Sequence, residues 1–362
     1  IKMSELSGLS ILGKAFRESK NAKICSLIHK RYGEGVSELL HCILQLESKR
    51  PNLHEVKEEL EIILRDIKTH KNGVLYNFNL KSAALDKLNE SHELNIPTGE
   101  TSHLKQLTEK DEKEVFNFTF KFQQEQPDLD AAELAGTIHK LKNISNLVIN
   151  ANHSALTDKG MIMLAESFEK LVFLHSLTLD LDWTNVQDEG IGALAAAIKK
   201  SSQLRSLSLN LNRVKASNSA LASLVESIKS IESLKSLTID LFCTEAGDGV
   251  LEALRKAITS HLVMRADLTS LSLNLNDTKI TGNGLEALGG LISSVPRLRS
   301  LTLSIASNKN IESGLGCVFG ALEKLSFLHS LVINVDSLTI ENKDFEQFGK
   351  ALSQLAGLKT FN

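Results

Sequence analysis

Apolar and polar positions repeat along this chain with a fixed period. The phrase LHSLTL, which begins at Leu174, returns with small changes several times. Its copies begin at Leu204, Leu234, Leu268, Leu298 and Leu328, with degenerate versions at Ile144 and Leu358. Successive starts are 30 residues apart, except for a step of 34 residues between Leu234 and Leu268. A fixed period in this range indicates stacked supersecondary units, each burying the apolar face of its neighbour.

Each unit predicts a strand, a loop and then a helix. In the unit that begins at Leu174, apolar and polar residues alternate over Leu177–Leu181, which is typical of a strand with one buried face. Asp188–Gly190 follows and predicts a helix start, because acidic side chains favour the positive end of a helix. Leu194 and Ile198 then continue the pattern at helical spacing. Glycines that share one position near the helix start suggest close packing of helix on sheet: Gly160, Gly190, Gly284 and Gly314.

The chain divides into three regions on this pattern. Residues 1–72 lack the phrase, and apolar residues at helical spacing over Leu53–Ile67 predict a helical N-terminal domain or cap. Residues 73–143 form a transition with the first irregular repeats, including a strand at Leu75–Leu80. Residues 144–362 carry the regular 30-residue repeats.

The transition contains three further predicted elements. Val115–Phe122 matches the later strands. Asn95–Ser102 contains a proline and a glycine, which predict a loop. Asp128 or Asp130 is expected to cap a helix that runs to about Lys142.

The repeated phrases resemble those of the leucine-rich repeat family, in its ribonuclease-inhibitor-like intracellular subtype. The resemblance implies an α/β solenoid: a curved horseshoe with a parallel sheet on the concave side and helices on the convex side, after an N-terminal α-helical region. In the family, an asparagine after each strand hydrogen-bonds to the backbone. The resemblance maps this asparagine onto Asn152, Asn212 and Asn276, with Asp182 and Asp336 as substitutes, whereas Phe242 and Ala306 lack the group it requires.

Composition narrows the functional classes. The net charge of -3 argues against a general nucleic-acid binder, so we expect no nucleic-acid partner. The four cysteines are far apart and form no clustered cap, which favours a reducing, cytoplasmic location. No run is long and apolar enough to span a membrane.

We find no motif for catalysis or for phosphate binding, and we therefore expect a non-enzymatic protein without a cofactor. We also expect no metal site, since Cys25, His29 and Cys42 lack a fourth ligand for zinc.

The outward strand positions predict a uniform polar surface. Serine, threonine, asparagine and aspartate fill them, and Asp180 and Asp240 are acidic members. Interaction hot spots are usually tryptophan, tyrosine or arginine, so the pattern favours a solvated sheet face over a tightly gripping one.

A column of basic residues is predicted at the edge where the strands begin. Its members are His175, Arg205, Lys235, Arg299, His329 and Lys359, and Ser145 and Thr269 fill the same position in other repeats. We call these six residues the basic column. It is a candidate site for an acidic or phosphorylated segment of a protein partner, modulated by protonation of the two histidines. The alternative is ordinary solvated charge beside acids such as Asp180 and Asp240.

Trp183, the chain's single tryptophan, follows its strand in a loop. A tryptophan in this place either anchors a partner or covers the edge of the core.

Three functional hypotheses follow. The first is a non-enzymatic scaffold for protein–protein interaction. The second is the ligand-sensing repeat module of a signalling protein of the NOD-like receptor type, and the chain's start without methionine suggests a piece of a longer protein or assembly. The third is a small-GTPase activator of the Ran GTPase-activating type, whose acidic tail this chain lacks.

Overall fold

The computed structural model describes residues 93–96, 117–122, 126–141, 143–260 and 267–362. The predictions for residues 1–72 and for a strand at Leu75–Leu80 lie outside the described residues.

The strands of the described residues form one parallel sheet in chain order. Ten strands pair in succession: β1 Glu93–Ile96, β2 Asn117–Lys121, β3 Asn146–Asn150, β4 Ser176–Asp180, β5 Ser206–Asn210, β6 Ser236–Asp240, β7 Ser270–Asn274, β8 Ser300–Ser304, β9 Ser330–Asn334 and β10 Thr360–Phe361. Equivalent residues of adjacent repeats face each other, as Leu177, Leu207 and Leu237 do. Strand pairing therefore aligns residues that occupy the same position in successive repeats.

A helix connects each strand to the next from β2 onwards. The helices are α1 Pro127–Ile138, α2 Asp158–Phe168, α3 Asp188–Lys200, α4 Asn218–Ser227, α5 Asp248–Thr259, α6 Gly282–Ser293, α7 Leu315–Leu322 and α8 Asn342–Gln354. Strands in a sheet lie about 4.8 Å apart, whereas packed helices need roughly 8–10 Å. The sheet accordingly takes the inside of the stack. The predicted fold class, a leucine-rich repeat solenoid, is confirmed for the described residues.

The core runs along the whole stack between sheet and helices. From β3 to β8 every second strand residue is buried and its neighbours are partly exposed. Burying each leucine contributes about 1.5–3 kcal/mol, and most of that burial is against the adjacent repeats. A single unit is consequently unstable without its neighbours.

Aspartates link the starts of successive helices. Asp188 accepts hydrogen bonds from the backbone N–H (2.6 Å) and the hydroxyl (2.7 Å) of Ser217, which precedes the next helix. These bonds hold the pKa of Asp188 below its usual range. Asp248 accepts the same pair of bonds from Thr281, both at 2.7 Å.

At Gly284 and Gly160, an aspartate of the neighbouring helix occupies the space that a side chain would need. A Cβ atom at Gly284 would lie 2.4 Å from the Oδ1 of Asp248, and one at Gly160 would lie 2.5 Å from both the Oδ1 of Asp128 and the Cδ1 of Leu156. The interpretation that these glycines pack helix against sheet is wrong at both positions.

Two predictions for the transition need correction and one is confirmed. Strand β2 lies within the predicted Val115–Phe122. Asn95 and Ile96, predicted as loop, end strand β1 and pair with β2. Helix α1 ends at Ile138, short of the predicted limit near Lys142.

The predicted cap of α1 is also wrong. The residue before the helix is Gln126, and it makes no side-chain capping bond. Asp128 lies inside the first turn and accepts hydrogen bonds from the N–H (2.9 Å) and hydroxyl (2.6 Å) of Thr157 in the next repeat. A carboxylate that links two repeats has replaced the local cap.

Candidate functional site

The basic column lies on the edge where the strands begin, as predicted. Each member directly precedes its strand, and the backbone carbonyl of every member except Lys359, in the last repeat, accepts two N–H groups from the next repeat. The carbonyl of Arg205 accepts from Lys235 at 2.8 Å and from Ser236 at 3.0 Å. The same pair of bonds recurs from Ser145 to Thr360. The backbone thus fixes the column in one line at the strand spacing of about 4.8 Å.

Most side chains of the column are exposed to solvent. Arg205, Lys235, Arg299, His329 and Lys359 are exposed, and His175 is half-buried. Within the described residues, no ion pair or side-chain hydrogen bond engages Lys235, Arg299 or Lys359. Most lysine–glutamate pairs of the described chain lie on the helices instead, such as Lys200 with Glu169 at 2.6 Å.

His175 differs from the other members of the column in its burial. Burial and the adjacent Arg205 lower the pKa of His175, against a raising hydrogen bond with the backbone of Phe173. The ring of His175 is therefore neutral at pH 7. It interacts with the hydroxyl of Ser145 at 3.3 Å.

Asp180 and Asp240 lie at the opposite end of the strands. Each is the last residue of its strand, five residues beyond the column position, which corresponds to about 16 Å. This geometry contradicts the placement of these acids beside the basic residues, while the alternative of ordinary solvated charge stays a prediction. Burial raises the pKa of Asp180, against the hydrogen bonds that the carboxylate accepts. Its Oδ1 accepts from the side-chain amide of Asn210 at 2.8 Å.

Asp180 and Asp240 belong to a row of side chains that hydrogen-bond to the backbone just after each strand. The resemblance assigned this role to residues two positions later, such as Asn212. The last strand residue accepts the N–H of the residue two positions ahead, at 2.9–3.2 Å. The accepting residues are Asn150, Asp180, Asn210, Asp240, Asn274 and Asn334. Ser304 is too short for this bond, and there Asn276 accepts the N–H of Ala306 at 2.6 Å. The prediction is thus confirmed at Asn276, whereas Asn150 and Asn210 accept the bond in place of Asn152 and Asn212. Phe242 leaves no gap, because Asn and Asp side chains close such turns on their own backbone.

Trp183 lies on the other rim, where the strands end. Its φ of 54° is in the left-handed region, like that of the equivalent residue in six other repeats. Trp183 is 58 % exposed, so more than half of this residue is accessible to a partner. It stacks on the ring of His153, with 6.0 Å between centroids, and the guanidinium of Arg213 lies 5.0 Å from its centre. This stack borders a cavity of about 830 Å³ that Asp188 also lines.

Two exposed phenylalanines flank the basic column, and the sequence interpretation did not include them. Phe173 and Phe327 are each 54 % exposed and lie on the turn two residues before His175 and His329. The Nδ1 of His329 lies 2.6 Å from the carbonyl oxygen of Phe327. The signal was present, since the string Phe-Leu-His-Ser-Leu occurs at both places.

The described residues contain neither a candidate metal site nor a candidate membrane-spanning helix. Across those residues no three His, Cys, Asp or Glu side chains converge on a position that suits a metal ion. The candidates Cys25, His29 and Cys42 lie outside them. None of the described helices has the length and apolar character needed to cross a membrane.

Comparisons with known proteins found one family model and several solved structures of low similarity. The family model described as "Leucine Rich repeat" matches residues 174–195 and 268–289. Among solved structures, an internalin C2 from Listeria monocytogenes is 16 % identical with a TM-score of 0.36, over 65 % of this chain and 83 % of that chain. The TLR13–ssRNA13 complex is 18 % identical with a TM-score of 0.35, over 70 % of this chain and 36 % of that chain. No curated protein matches the chain. The repeated phrase, the parallel sheet and the matched segments together identify a chain built from leucine-rich repeats.

Proposed function

We propose that the chain is a non-enzymatic scaffold that binds an acidic or phosphorylated segment of a protein partner along the basic column. Leucine-rich repeats are typically binding modules without enzymatic activity, which supports the general role. The observation that carries the proposal is the line of exposed cationic side chains that have no partner within the described chain: Lys235, Arg299 and Lys359.

Physical chemistry explains why this line suits an anionic segment. Hydrogen bonds between charged groups are roughly twice as strong as neutral ones, and an arginine presents a fork that matches carboxylate or phosphate. The column repeats its donors at the strand spacing, so an extended segment crossing the strands meets one repeat after another. The acids that end the strands are too far away to compete.

The ribonuclease-inhibitor-like subtype and a cytoplasmic location are part of the same proposal. Regular helices of 10–13 residues, as in α3 and α4, support the subtype. Cys243 and Cys317 are free thiols, which is consistent with a reducing compartment. The receptor-module and GTPase-activator hypotheses stay predictions, as does the expectation that nucleic acid is not a partner.

Charge reversal of the column tests this function. We expect Lys235→Glu, Arg299→Glu and Lys359→Glu, combined in one variant, to weaken binding of a fluorescein-labelled 12-residue polyglutamate peptide about tenfold or more, because each contact is charge-assisted. The same peptide with phosphoserines at alternate positions should show an equal or larger loss. Fluorescence anisotropy at low salt measures both dissociation constants.

The matched control reverses three lysines elsewhere on the chain: Lys215→Glu, Lys279→Glu and Lys309→Glu. This variant has the same net charge and should bind less than about twofold more weakly at moderate salt, where screening limits the influence of distant charges. Equal losses in the two variants, or no binding by the unmodified chain, would contradict the proposal.

A further inference from the structure

We infer that the basic column and the two exposed phenylalanines form one docking surface, and that its partner is an acidic segment with an apolar residue near each end. The surface consists of Phe173, Arg205, Lys235, Arg299 and Phe327, and we call it the Phe–basic–Phe surface. The inference rests on the proposed function and adds to it the chemistry of the partner.

The two phenylalanines occupy the same position in their repeats. The repeats between them have no phenylalanine at that position. Phe173 precedes β4 and Phe327 precedes β9, each on the turn that leads into the strand. The equivalent residues of the intervening repeats are polar: Gln203, Ser233, Asp267 and Arg297. The fold therefore does not require an aromatic residue there, and more than half of each phenylalanine remains in water.

The cationic side chains lie between these aromatic ends. Along the sheet the order is Phe173, Arg205, Lys235, Thr269, Arg299 and Phe327. Val172, next to Phe173, is 65 % exposed and enlarges one apolar end. Contiguous exposed apolar patches rimmed by polar residues mark interaction sites, and we extend this rule to two small apolar ends that are joined by a line of positive charge.

The spacing sets the length of the partner segment. Strands β4 and β9 are five strand intervals apart, which corresponds to about 24 Å. An extended chain advances about 3.3 Å per residue, so two apolar anchors that reach both phenylalanines lie roughly seven positions apart, with about six residues between them. Because successive side chains of an extended chain point to opposite sides, about half of these residues face the cations, and acidic residues there complement them.

A protein segment fits this surface better than an anionic membrane does. Glu232 is exposed on the turn before Lys235, between the two phenylalanines. A flat anionic bilayer pressed against this rim would meet that carboxylate, whereas a single peptide strand can pass beside it. Charge complementarity together with the two separate apolar ends therefore selects the peptide.

The test compares two labelled hexaglutamate peptides, one with a leucine at each end and one with an alanine at each end, both acetylated and amidated. We expect the unmodified chain to bind the leucine-ended peptide about fivefold more tightly, because each anchor buries an apolar side chain in part. The variant Phe173→Gln with Phe327→Gln, which copies the residue found at Gln203, should bind both peptides equally. A control with Leu129→Gln and Phe345→Gln changes exposed apolar residues elsewhere and should keep the fivefold preference.

The outcomes separate this inference from the proposed function. Equal binding of the two peptides by the unmodified chain overturns the inference, and so does a preference that survives in the phenylalanine variant. In either case the proposed function stands if charge reversal of the column still weakens both peptides. Binding to vesicles of phosphatidylserine and phosphatidylcholine that requires both phenylalanines, without peptide preference, would assign the surface to a membrane and overturn it too. Thermal melting confirms that each variant is folded.

Discussion

Replacing Leu207 by alanine is expected to lower the free energy of unfolding by about 3 kcal/mol, within the usual range of 2–5 kcal/mol for such core truncations. Leu207 is fully buried in β5 and pairs in register with Leu177 and Leu237. The cavity that alanine leaves borders both neighbouring repeats. Because each repeat is stable only against its neighbours, the loss weakens two interfaces at once. Denaturant unfolding followed by circular dichroism measures it.

The matched control is the adjacent residue of the same strand. Ser208 faces away from the core and is only partly exposed, and its replacement by alanine should change the free energy of unfolding by less than about 0.5 kcal/mol. A similar cost for both variants would contradict the alternation of buried and outward residues in β5.

Replacing Gly284 by alanine is expected to cost about 1–3 kcal/mol, the usual range for an overpacked site. The added Cβ would lie 2.4 Å from the Oδ1 of Asp248 and displace the carboxylate that accepts two hydrogen bonds from Thr281. A loss of stability is unusual for this substitution, because alanine inside a helix is normally more stabilising than glycine by roughly 1 kcal/mol.

A second glycine in a helix provides the control for this result. Gly192 in α3 has open space around the position of a Cβ atom, so Gly192→Ala should raise the free energy of unfolding by up to about 1 kcal/mol. Adding Asp248→Ala to Gly284→Ala should cost much less than Asp248→Ala alone, because the clash has already broken the link. Stabilisation by Gly284→Ala would show that the helices are not linked in this way.

Most of the fold could be predicted because its signal repeats. The alternation over Leu177–Leu181 recurs in register in several repeats, so one misplaced residue cannot change the assignment. The transition lacks this redundancy. There, pairing with β2 places Asn95 and Ile96 in a strand although proline and glycine nearby indicated a loop.

The links between repeats were harder to predict because they join side chains about 30 residues apart. Asp188 looked like a residue that favours its own helix, whereas it binds Ser217 of the next repeat. The predicted ladder asparagine was two residues too late at Asn152, although Asn276 does accept a backbone N–H. A repeat position alone does not show which of two nearby polar side chains accepts the N–H, and Asn150 accepts that of Asn152.

The position of the basic column could be predicted from the sequence, but the residues around it could not. The basic column follows directly from the repeat register. Its separation from Asp180 and the exposure of Phe173 depend on where strands end and turns project, which only three-dimensional geometry provides.

Photo-cross-linking tests most directly whether the basic column is the binding surface. A polyglutamate peptide with a benzophenone amino acid at its centre would be irradiated with the intact chain, and the cross-linked residues would be located by mass spectrometry. We expect cross-links only in the turns and strand starts around Arg205, Lys235 and Arg299. These cross-links should be lost in the charge-reversed variant. Cross-links concentrated on the opposite rim around Trp183, or unchanged by charge reversal of the column, would contradict this expectation.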